Sequence, residues 1–175
     1  MLVLLGCLVV VVGGYALTKS LVAKSEAEAE ADSTINFVSV QDPVEMTWTY
    51  SGQTYTVELD EDSIWMWTDD DEFELNQTSV EAMATAVSSI TASQVLTGVT
   101  DYGQYGLEDP DSVITVKTSD GMTYTILTGD YNSTAASYYA MLEGASDVYL
   151  VTGEYLDNFE YSIDELEATT NEEEQ

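Results

Sequence analysis

The sequence lacks histidine and arginine altogether and contains a single cysteine, Cys7. Without histidine, no imidazole can act as a general base or a metal ligand, which excludes Ser-His and Cys-His catalytic systems. The Cys/His sites that usually hold zinc are excluded for the same reason. Because residues 8–175 contain no cysteine, an intramolecular disulfide cannot form, and a folded domain must be stabilised by its core alone.

Positive charge is also scarce: Lys19, Lys24 and Lys117 stand against 33 acidic residues, and the formal net charge is −30. All of the acids lie after residue 25, where Lys117 is the only basic residue. A domain of this charge repels nucleic acid and anionic lipid head groups, so no nucleic-acid partner is expected. The acids predict a strongly solvated surface. A Ser-Lys dyad would require Lys117, whose place in a strand pattern is more typical of an edge-strand lysine.

Long apolar runs are absent except near the start, where residues 2–17 read LVLLGCLVVVVGGYAL. A membrane-spanning helix needs about 20 residues, and Lys19 can snorkel to lengthen this one. Residues 1–24 are therefore predicted to be a single-pass signal anchor at the cell membrane. Two alternatives stay open: a cleaved signal peptide on a secreted protein, and a lipoprotein, because LLGC resembles a lipobox ending at Cys7. No basic residue precedes the run, which suggests that the given start lies inside the original segment.

Composition divides the remaining chain into three parts. Residues 25–34, in which Glu and Ala alternate, are predicted to be an acidic linker. Residues 35–166 carry the strand and helix patterns and are predicted to form one folded domain. Residues 167–175, which are rich in Glu, are predicted to be a disordered acidic tail.

The patterns within residues 35–166 are mostly those of short strands joined by tight turns. Alternating apolar residues predict strands over 45–50, 54–59, 64–67, 112–118, 122–127, 138–142 and 148–151, with a strand or an irregular connector over 93–99 and a loop over 128–137. Helical spacing predicts a helix over 79–90, capped by Asn76 or Thr78, and a short C-terminal helix over 154–159 that resumes at 163–166. This order predicts an α+β fold of antiparallel hairpins with one central helix. The echo between GQTYTVEL (52–59) and GMTYTILT (121–128) suggests two related hairpin units.

The stretch YGLEDPDSVITV (105–116) predicts a sharp corner between a turn and a strand. Gly106 can adopt a positive φ at no steric cost and end the turn, after which Leu107 returns to the core. Pro110 holds the residue before it in extended geometry and suits the entrance of a strand, because proline has no N–H to offer a ladder.

Trp65 and Trp67 are the candidate partner-binding residues. Alternation places both on one face of the strand over 64–67. Such aromatics form either a platform for a sugar or peptide, or cross-strand packing in the core. The acidic runs DEDS (60–63) and TDDDE (68–72) offer oxygen ligands, yet neither has the spacing of a calcium-binding loop. No catalytic residue, metal or cofactor is predicted.

Several motifs in a fixed order resemble the family called domain of unknown function 4340. They are Tyr105-Gly106-Leu107 with Pro110, Gly129-Asp130, Tyr138-Tyr139-Ala140 and Val148–Val151, and the resemblance covers residues 45–160. The resemblance implies a bacterial extracytoplasmic domain on an N-terminal anchor. It also implies a link to ABC transporters of the gliding-motility type, which some members accompany. The family has no established catalytic residues, so the resemblance adds none.

The expected function is therefore non-enzymatic. The domain is expected to be tethered to the membrane by its N-terminal segment and to bind a protein partner. Transporter or other envelope protein subunits are the expected partners, so that the domain is an accessory to an ABC-type envelope transport complex. The alternative is a carbohydrate- or peptide-binding module that uses an aromatic sheet face, and a carboxylate-based hydrolase ranks third.

Overall fold

The computed structural model describes residues 35–169, which form a sheet of nine strands with one α-helix and three short 3₁₀ helices. The strands are β1 (Ile35–Ser39), β2 (Pro43–Tyr50), β3 (Gln53–Leu59), β4 (Trp65–Trp67), β5 (Ser89–Leu96), β6 (Ser112–Thr118), β7 (Thr123–Asn132), β8 (Ser137–Leu142) and β9 (Val148–Val151). The α-helix, α1, spans Gln77–Ser88, and the 3₁₀ helices span Gly103–Tyr105, Gly153–Asn158 and Ile163–Leu166. Every ladder is antiparallel, which confirms the predicted α+β class with an antiparallel sheet. The predicted anchor (1–24), linker (25–34) and last tail residues (170–175) lie outside the described residues.

The sheet must curl, because its first and seventh strands are consecutive in the chain. The strand order is β1-β5-β9-β8-β7-β6-β2-β3-β4. In a flat sheet β1 and β2 would lie about 29 Å apart, since adjacent strands are separated by about 4.8 Å. Residues 40–42 join them, and a connection of that length spans at most about 14 Å. The sheet therefore bends into a partly closed barrel, in which α1 contacts β1 and β5 as well as β2.

Four irregularities in the strand pairing help the sheet to bend. They lie at Asn36/Val38, Pro43/Glu45, Ala92/Gln94 and Thr128/Tyr131. A bulge leaves a residue unpaired and increases the local twist. The first one explains why the sequence did not predict β1: Phe37 and Val38 are adjacent yet both are buried, so the alternation that marks a strand is missing.

The main core lies between the inner face of the sheet and α1. The helix contributes the face that its spacing predicted, with Val80, Met83, Ala84 and Val87 buried. Asn76 is the N-cap, and its side chain accepts a hydrogen bond from the amide of Ser79. The helix ends at Ser88, two residues earlier than predicted, because β5 begins at once and takes Ile90 into the sheet. No helix in this described region is long and apolar enough to cross a bilayer.

Trp48 ties the centre of the sheet to the C-terminal segment. Its side chain is 1% exposed, and its Nε1–H donates to the carbonyl oxygen of Tyr161 at 3.0 Å. Its indole meets the ring of Phe159 edge-on, with centroids 6.2 Å apart. The short helix predicted over 154–159 is the 3₁₀ helix Gly153–Asn158, and its predicted resumption at 163–166 is the 3₁₀ helix Ile163–Leu166. The bond to Tyr161 holds the chain between these two helices.

The fold continues past the boundary predicted at residue 166. Glu167 pairs with Leu75, and the amide of Ala168 donates to the carbonyl oxygen of Glu74 at 2.7 Å. Glu167 and Ala168, which composition assigned to the disordered tail, therefore belong to the domain. The acidic composition of the tail did not reveal this pairing, because the pairing uses backbone N–H and C=O groups, which a residue carries whatever its side chain.

A second buried cluster lies on the outer face of the sheet, beneath the segment that carries the YGL motif. Leu107, Met141 and Val148 form it. Met141 points away from the main core because its neighbour Ala140 points into it. Gly106 has a φ of 71° and ends the 3₁₀ helix Gly103–Tyr105, so both its predicted conformation and the predicted burial of Leu107 are confirmed.

The Tyr105-Gly106-Leu107 motif contacts the Gly129-Asp130 motif through the backbones of Gly106 and Gly129. A Cβ atom on Gly129 would overlap the carbonyl oxygen of Tyr105 and lie 2.8 Å from the carbonyl carbon of Gly106. A Cβ atom on Gly106 would lie 2.7 Å from the amide nitrogen of Asp130. Gly129 and Asp130 also form the bulge in β7, which continues to Asn132 where the sequence predicted a loop. The bulge accommodates residues that are otherwise typical of a turn.

Candidate partner-binding groove

The two predicted binding residues lie on the edge strand β4 and pack inward. Trp65 is 5% exposed and belongs to the main core, while Trp67 is partly buried and packs against it. Trp67 meets Phe73 edge-on, with ring centroids 5.3 Å apart, and its Nε1–H is buried without a hydrogen-bond partner among residues 35–169. Core packing, one of the two interpretations that the sequence left open, therefore describes most of the surface of Trp65. The partner-binding role of both residues stays a prediction.

The side chain of Gln77 closes the outer edge of β4. The amide of Trp65 donates to Gln77 Oε1 at 2.8 Å, and Gln77 Nε2 donates to the carbonyl oxygen of Trp65 at 2.9 Å. The side-chain amide thus makes the pair of bonds that a neighbouring strand would make. The backbone of Trp67, which also faces the outer edge of β4, pairs with Asp70. A partner cannot add a strand to β4 without displacing these groups, so binding at this end of the sheet must use side-chain surface.

Replacing Gln77 with alanine should open this edge. We expect the free energy of unfolding to fall by about 1–3 kcal/mol, because the partly buried N–H and C=O of Trp65 both lose their partner. Gln94→Ala is the matched control, since Gln94 is exposed on β5, and it should change stability by less than about 0.5 kcal/mol. Urea unfolding followed by far-UV circular dichroism measures both variants. Equal losses would show that the amide of Gln77 does not stabilise the edge.

A groove of about 600 Å³ lies beside Trp65, between α1 and strands β2 to β4. Its apolar lining consists of Pro43, Val44, Leu59, Trp65 and Ala84. Two exposed carboxylates, Asp42 and Glu81, also line it and come from opposite walls, since one precedes β2 and the other lies on α1. The groove therefore presents an apolar lining together with negative charge.

Two strongly exposed apolar side chains belong to residues that lie close in the chain to the lining of this groove. Ile64 is 48% exposed and lies between two lining residues, Ser63 and Trp65. Met122 is 50% exposed and bonds through its backbone to Thr118, the neighbour of another lining residue, Ser119. Exposed apolar residues that adjoin an apolar concavity are typical of an interaction surface.

The charge of the surrounding surface limits which molecules could bind in this groove. Residues 35–169 contain 26 of the 33 acids, with Lys117 as their only basic residue. Its Nζ pairs with the carboxylate oxygens of Glu45 at 2.6 and 2.8 Å, and Lys117 lies on the interior strand β6, so its interpretation as an edge-strand lysine was wrong. An acidic partner would be repelled, whereas a segment with Lys or Arg beside apolar residues would be attracted.

Sequence reasoning identified Trp65 and missed the other walls of the groove. Val44, Leu59 and Ala84 read as ordinary core positions, and only the curl of the sheet brings their three elements together. A signal was available for Ile64 and Met122: each is a large apolar residue directly after a turn-forming run, DEDS and SDG. Apolar residues at such positions have no core to enter and are candidates for exposed contacts.

The comparison with protein families identifies the domain that carries this groove. The family model described as Domain of unknown function (DUF4340) matches residues 65–171. The chain belongs to this family. No curated protein and no solved structure matches the chain. The DUF4340 match begins at Trp65 and includes α1, so one wall of the groove lies inside the family region, whereas β2 and β3 precede it.

The DUF4340 region also contains a buried hydrogen bond between two hydroxyl groups. Thr128 Oγ1 and the Tyr155 hydroxyl lie 2.6 Å apart, and both residues are buried. Burial raises the pKa of Tyr155 to about 12, although the hydrogen bond with Thr128 acts in the opposite direction. The neutral hydroxyl therefore links β7 to the 3₁₀ helix Gly153–Asn158 throughout the physiological range of pH.

Raising the pH should weaken this link. Tyr155 loses its proton near pH 10 when unfolded and near 12 when folded, so its contribution is intact below pH 10 and is lost as the pH rises to 12. Within that window we expect stability to fall by about 1.4 kcal/mol per pH unit. Tyr155→Phe should flatten this part of the urea-midpoint profile, and Tyr161→Phe, at an exposed tyrosine, should not. Identical profiles for the two variants would contradict the assignment.

Two carboxyl groups have a lowered pKa, and both stabilise turns. A hydrogen bond from the side chain of Thr118 lowers the pKa of Asp120, and one from the backbone of Ser162 lowers that of Glu165. Glu165 and Ser162 form a capping box at the start of the last 3₁₀ helix. Within residues 35–169, no three acidic side chains are grouped closely enough to hold a metal ion.

Proposed function

We propose that this DUF4340 domain is a non-enzymatic, partner-binding domain that docks a basic, partly apolar segment of another protein. The groove beside Trp65 carries the proposal, because its lining combines apolar residues with two exposed carboxylates, and two exposed apolar residues lie close to that lining in the chain. Burial of apolar side chains supplies affinity, and the opposite charge speeds association and selects the partner. A closed edge at β4 is consistent with this mode, since contact through side chains needs no free strand.

We further propose that the apolar N-terminal segment, residues 1–24, tethers the domain to the outer side of the cell membrane. The run over 2–17 supports a membrane anchor, and the acidic surface would keep the domain from lying on anionic head groups. A lipid on Cys7 is the alternative tether, and secretion after cleavage is the other alternative. Tethering confines the domain to partners in the envelope, of which the subunits of an ABC-type transport complex are our first candidates.

The two hairpins with similar sequences support a further proposal, that β2–β3 and β6–β7 are copies of one unit. The register pairs Thr47 with Thr56 in one hairpin and Thr115 with Thr125 in the other, and Thr47 pairs with Thr115 between them. The hydroxyl groups lie 3.0 Å apart in the first pair and 3.2 Å apart in the second. A local two-fold axis between Thr47 and Thr115 would relate the two units.

The groove is tested by crosslinking in native membranes and recovery of the tagged full-length chain. We expect the double variant Ile64→Ser/Met122→Ser to recover at least about tenfold less of the partner than the unmodified chain, a difference of about 1.4 kcal/mol. Both residues are exposed, so the fold should persist. Tyr131→Ser/Tyr161→Ser, which removes two exposed aromatics away from the groove, is the control and should retain the partner.

Identification of the recovered protein then separates the parts of the proposal. Transporter subunits lost only from the groove variant would support the accessory role. Equal recovery by the groove variant and the control would contradict docking in the groove. Recovery of the bait alone from a sound membrane fraction would contradict a stable complex.

A further inference from the structure

A second concavity lies at the opposite end of hairpin β2–β3 from the Trp65 groove. It has a volume of about 290 Å³, close to the lower end of the usual range of about 300–1,000 Å³ for small-molecule sites. Its walls come from the β2–β3 turn, the entrance of β6, the bulge of β7 and residues 156–160. We call it the tyrosine cleft, after Tyr50 and Tyr138, which line it with Phe159. It shares no lining residue with the groove.

Tyr138 packs against two neighbouring residues at this cleft. One contact is the exposed ring of Tyr131, whose centroid lies 5.0 Å away. Another is the backbone of Gly153, where a Cβ atom would lie 2.6 Å from Tyr138 Cε2, so only glycine leaves room for the ring. A ring fixed in this way loses little conformational entropy on binding. Its π face is negative, and it therefore suits the weakly positive C–H groups on the face of a sugar ring.

The polar groups of the cleft restrict the ligand further. Asp111 and Glu160 are exposed carboxylates in its lining, and Ser112, which follows Asp111 in the chain, also lines it. Carboxylates accept hydrogen bonds from hydroxyl groups and bind ammonium groups more strongly. Among residues 35–169 no basic residue lines the cleft, so a uronic acid or a phosphorylated sugar would be repelled.

We propose that the tyrosine cleft binds an amino sugar, with the sugar ring on Tyr138 and the ammonium group between Asp111 and Glu160. This activity is independent of the proposed partner docking, because the two concavities share no lining residue. The cleft lies in the part of the domain that holds the Gly106–Gly129 contact: Gly129 lines it, and the bulge at Gly129 shapes its wall.

The test is titration of the full-length chain with glucosamine at an ionic strength of about 0.15 M, where distant charges are screened. We expect saturable binding with a Kd of about 1 mM, and binding at least about tenfold weaker for N-acetylglucosamine, which lacks the charge. Ethanolamine, an ammonium without a ring, should also bind at least about tenfold more weakly. Equal affinity for ethanolamine would overturn the proposal by showing that charge alone is recognised, and absence of saturation by glucosamine would overturn it directly.

Variants assign the two contacts separately. The double variant Asp111→Asn/Glu160→Gln should abolish the preference for glucosamine over its acetylated form. The control, Asp71→Asn/Glu143→Gln, makes the same change in charge at exposed residues outside the cleft and should preserve that preference. Tyr138→Leu should weaken the binding of both sugars, whereas Tyr138→Phe, which keeps the ring, should leave the binding of both unchanged. Loss of the preference in both double variants would contradict a specific role for Asp111 and Glu160, and unchanged binding by Tyr138→Leu would contradict stacking on Tyr138.

Discussion

Gly129→Ala should destabilise the domain by at least about 3 kcal/mol, as expected where a buried site cannot accept added atoms. The new methyl group would overlap the carbonyl oxygen of Tyr105 and crowd the backbone of Gly106, and neither backbone group can rotate away. To relieve this overlap, the segment over 97–111 would have to separate from β7, which would uncover Leu107 and the cluster beneath it. Urea unfolding monitored by far-UV circular dichroism gives the loss directly.

Gly121→Ala provides the control for Gly129→Ala. Gly121 has a φ of 86° in the β6–β7 turn, but a Cβ atom there meets nothing within 4 Å, so only backbone strain opposes the change. We expect a loss of about 1–2 kcal/mol. Gly106→Ala combines both penalties, a φ of 71° and contact with Asp130. Its loss of stability should therefore be similar to that of Gly129→Ala. If Gly129→Ala costs no more than Gly121→Ala, the two backbones are not in close contact.

Trp48→Ala should cost about 3–5 kcal/mol, the usual loss when a large buried aromatic is truncated. Trp48→Phe is the more informative change, because it keeps a ring but removes the Nε1–H that donates to Tyr161. We expect a loss of about 2 kcal/mol, in part from the carbonyl oxygen left unpaired. The residues around this bond should also exchange amide hydrogens faster, since the bond holds the chain between the last two 3₁₀ helices.

Trp67→Phe is the matched change at a tryptophan whose N–H has no partner among the described residues. Removing an unsatisfied donor offsets part of the lost packing, so we expect Trp67→Phe to cost less than about 1 kcal/mol. Comparable losses at Trp48 and Trp67 would show that the bond to Tyr161 does not stabilise the C-terminal segment. Hydrogen exchange that increases over the whole domain equally would contradict the local role of that bond.

Local patterns predicted most elements of this DUF4340 domain. The strand over 54–59 alternates Tyr55, Val57 and Leu59, and a half-buried sheet requires such a period. The corner at Gly106 was equally clear, because few residues other than glycine adopt a positive φ easily. The patterns failed where tertiary contacts interrupt the period, at the bulged strand β1 and at the bulge of β7.

The candidate sites were less accessible to sequence reasoning. Trp65 was singled out by residue type, yet its burial depends on where α1 packs. The groove joins Val44 and Leu59 to Ala84, and the tyrosine cleft joins Tyr50 to Tyr138 and Phe159. These residues lie far apart in the chain, and no local pattern relates them.

The sequence by itself determined the antiparallel α+β class, the inward face of α1, the turn at Gly106, the lack of an imidazole group and of an intramolecular disulfide, and the large excess of negative charge. Each of these follows from residue type or from a period of a few residues. Only the tertiary structure decided that β1 lies at the edge of the sheet six positions from β2, that Gly106 meets Gly129, and that Gln77 closes β4. The reason is physical: pairing order and closure depend on the free energy of the whole curled sheet, which is a sum over distant contacts.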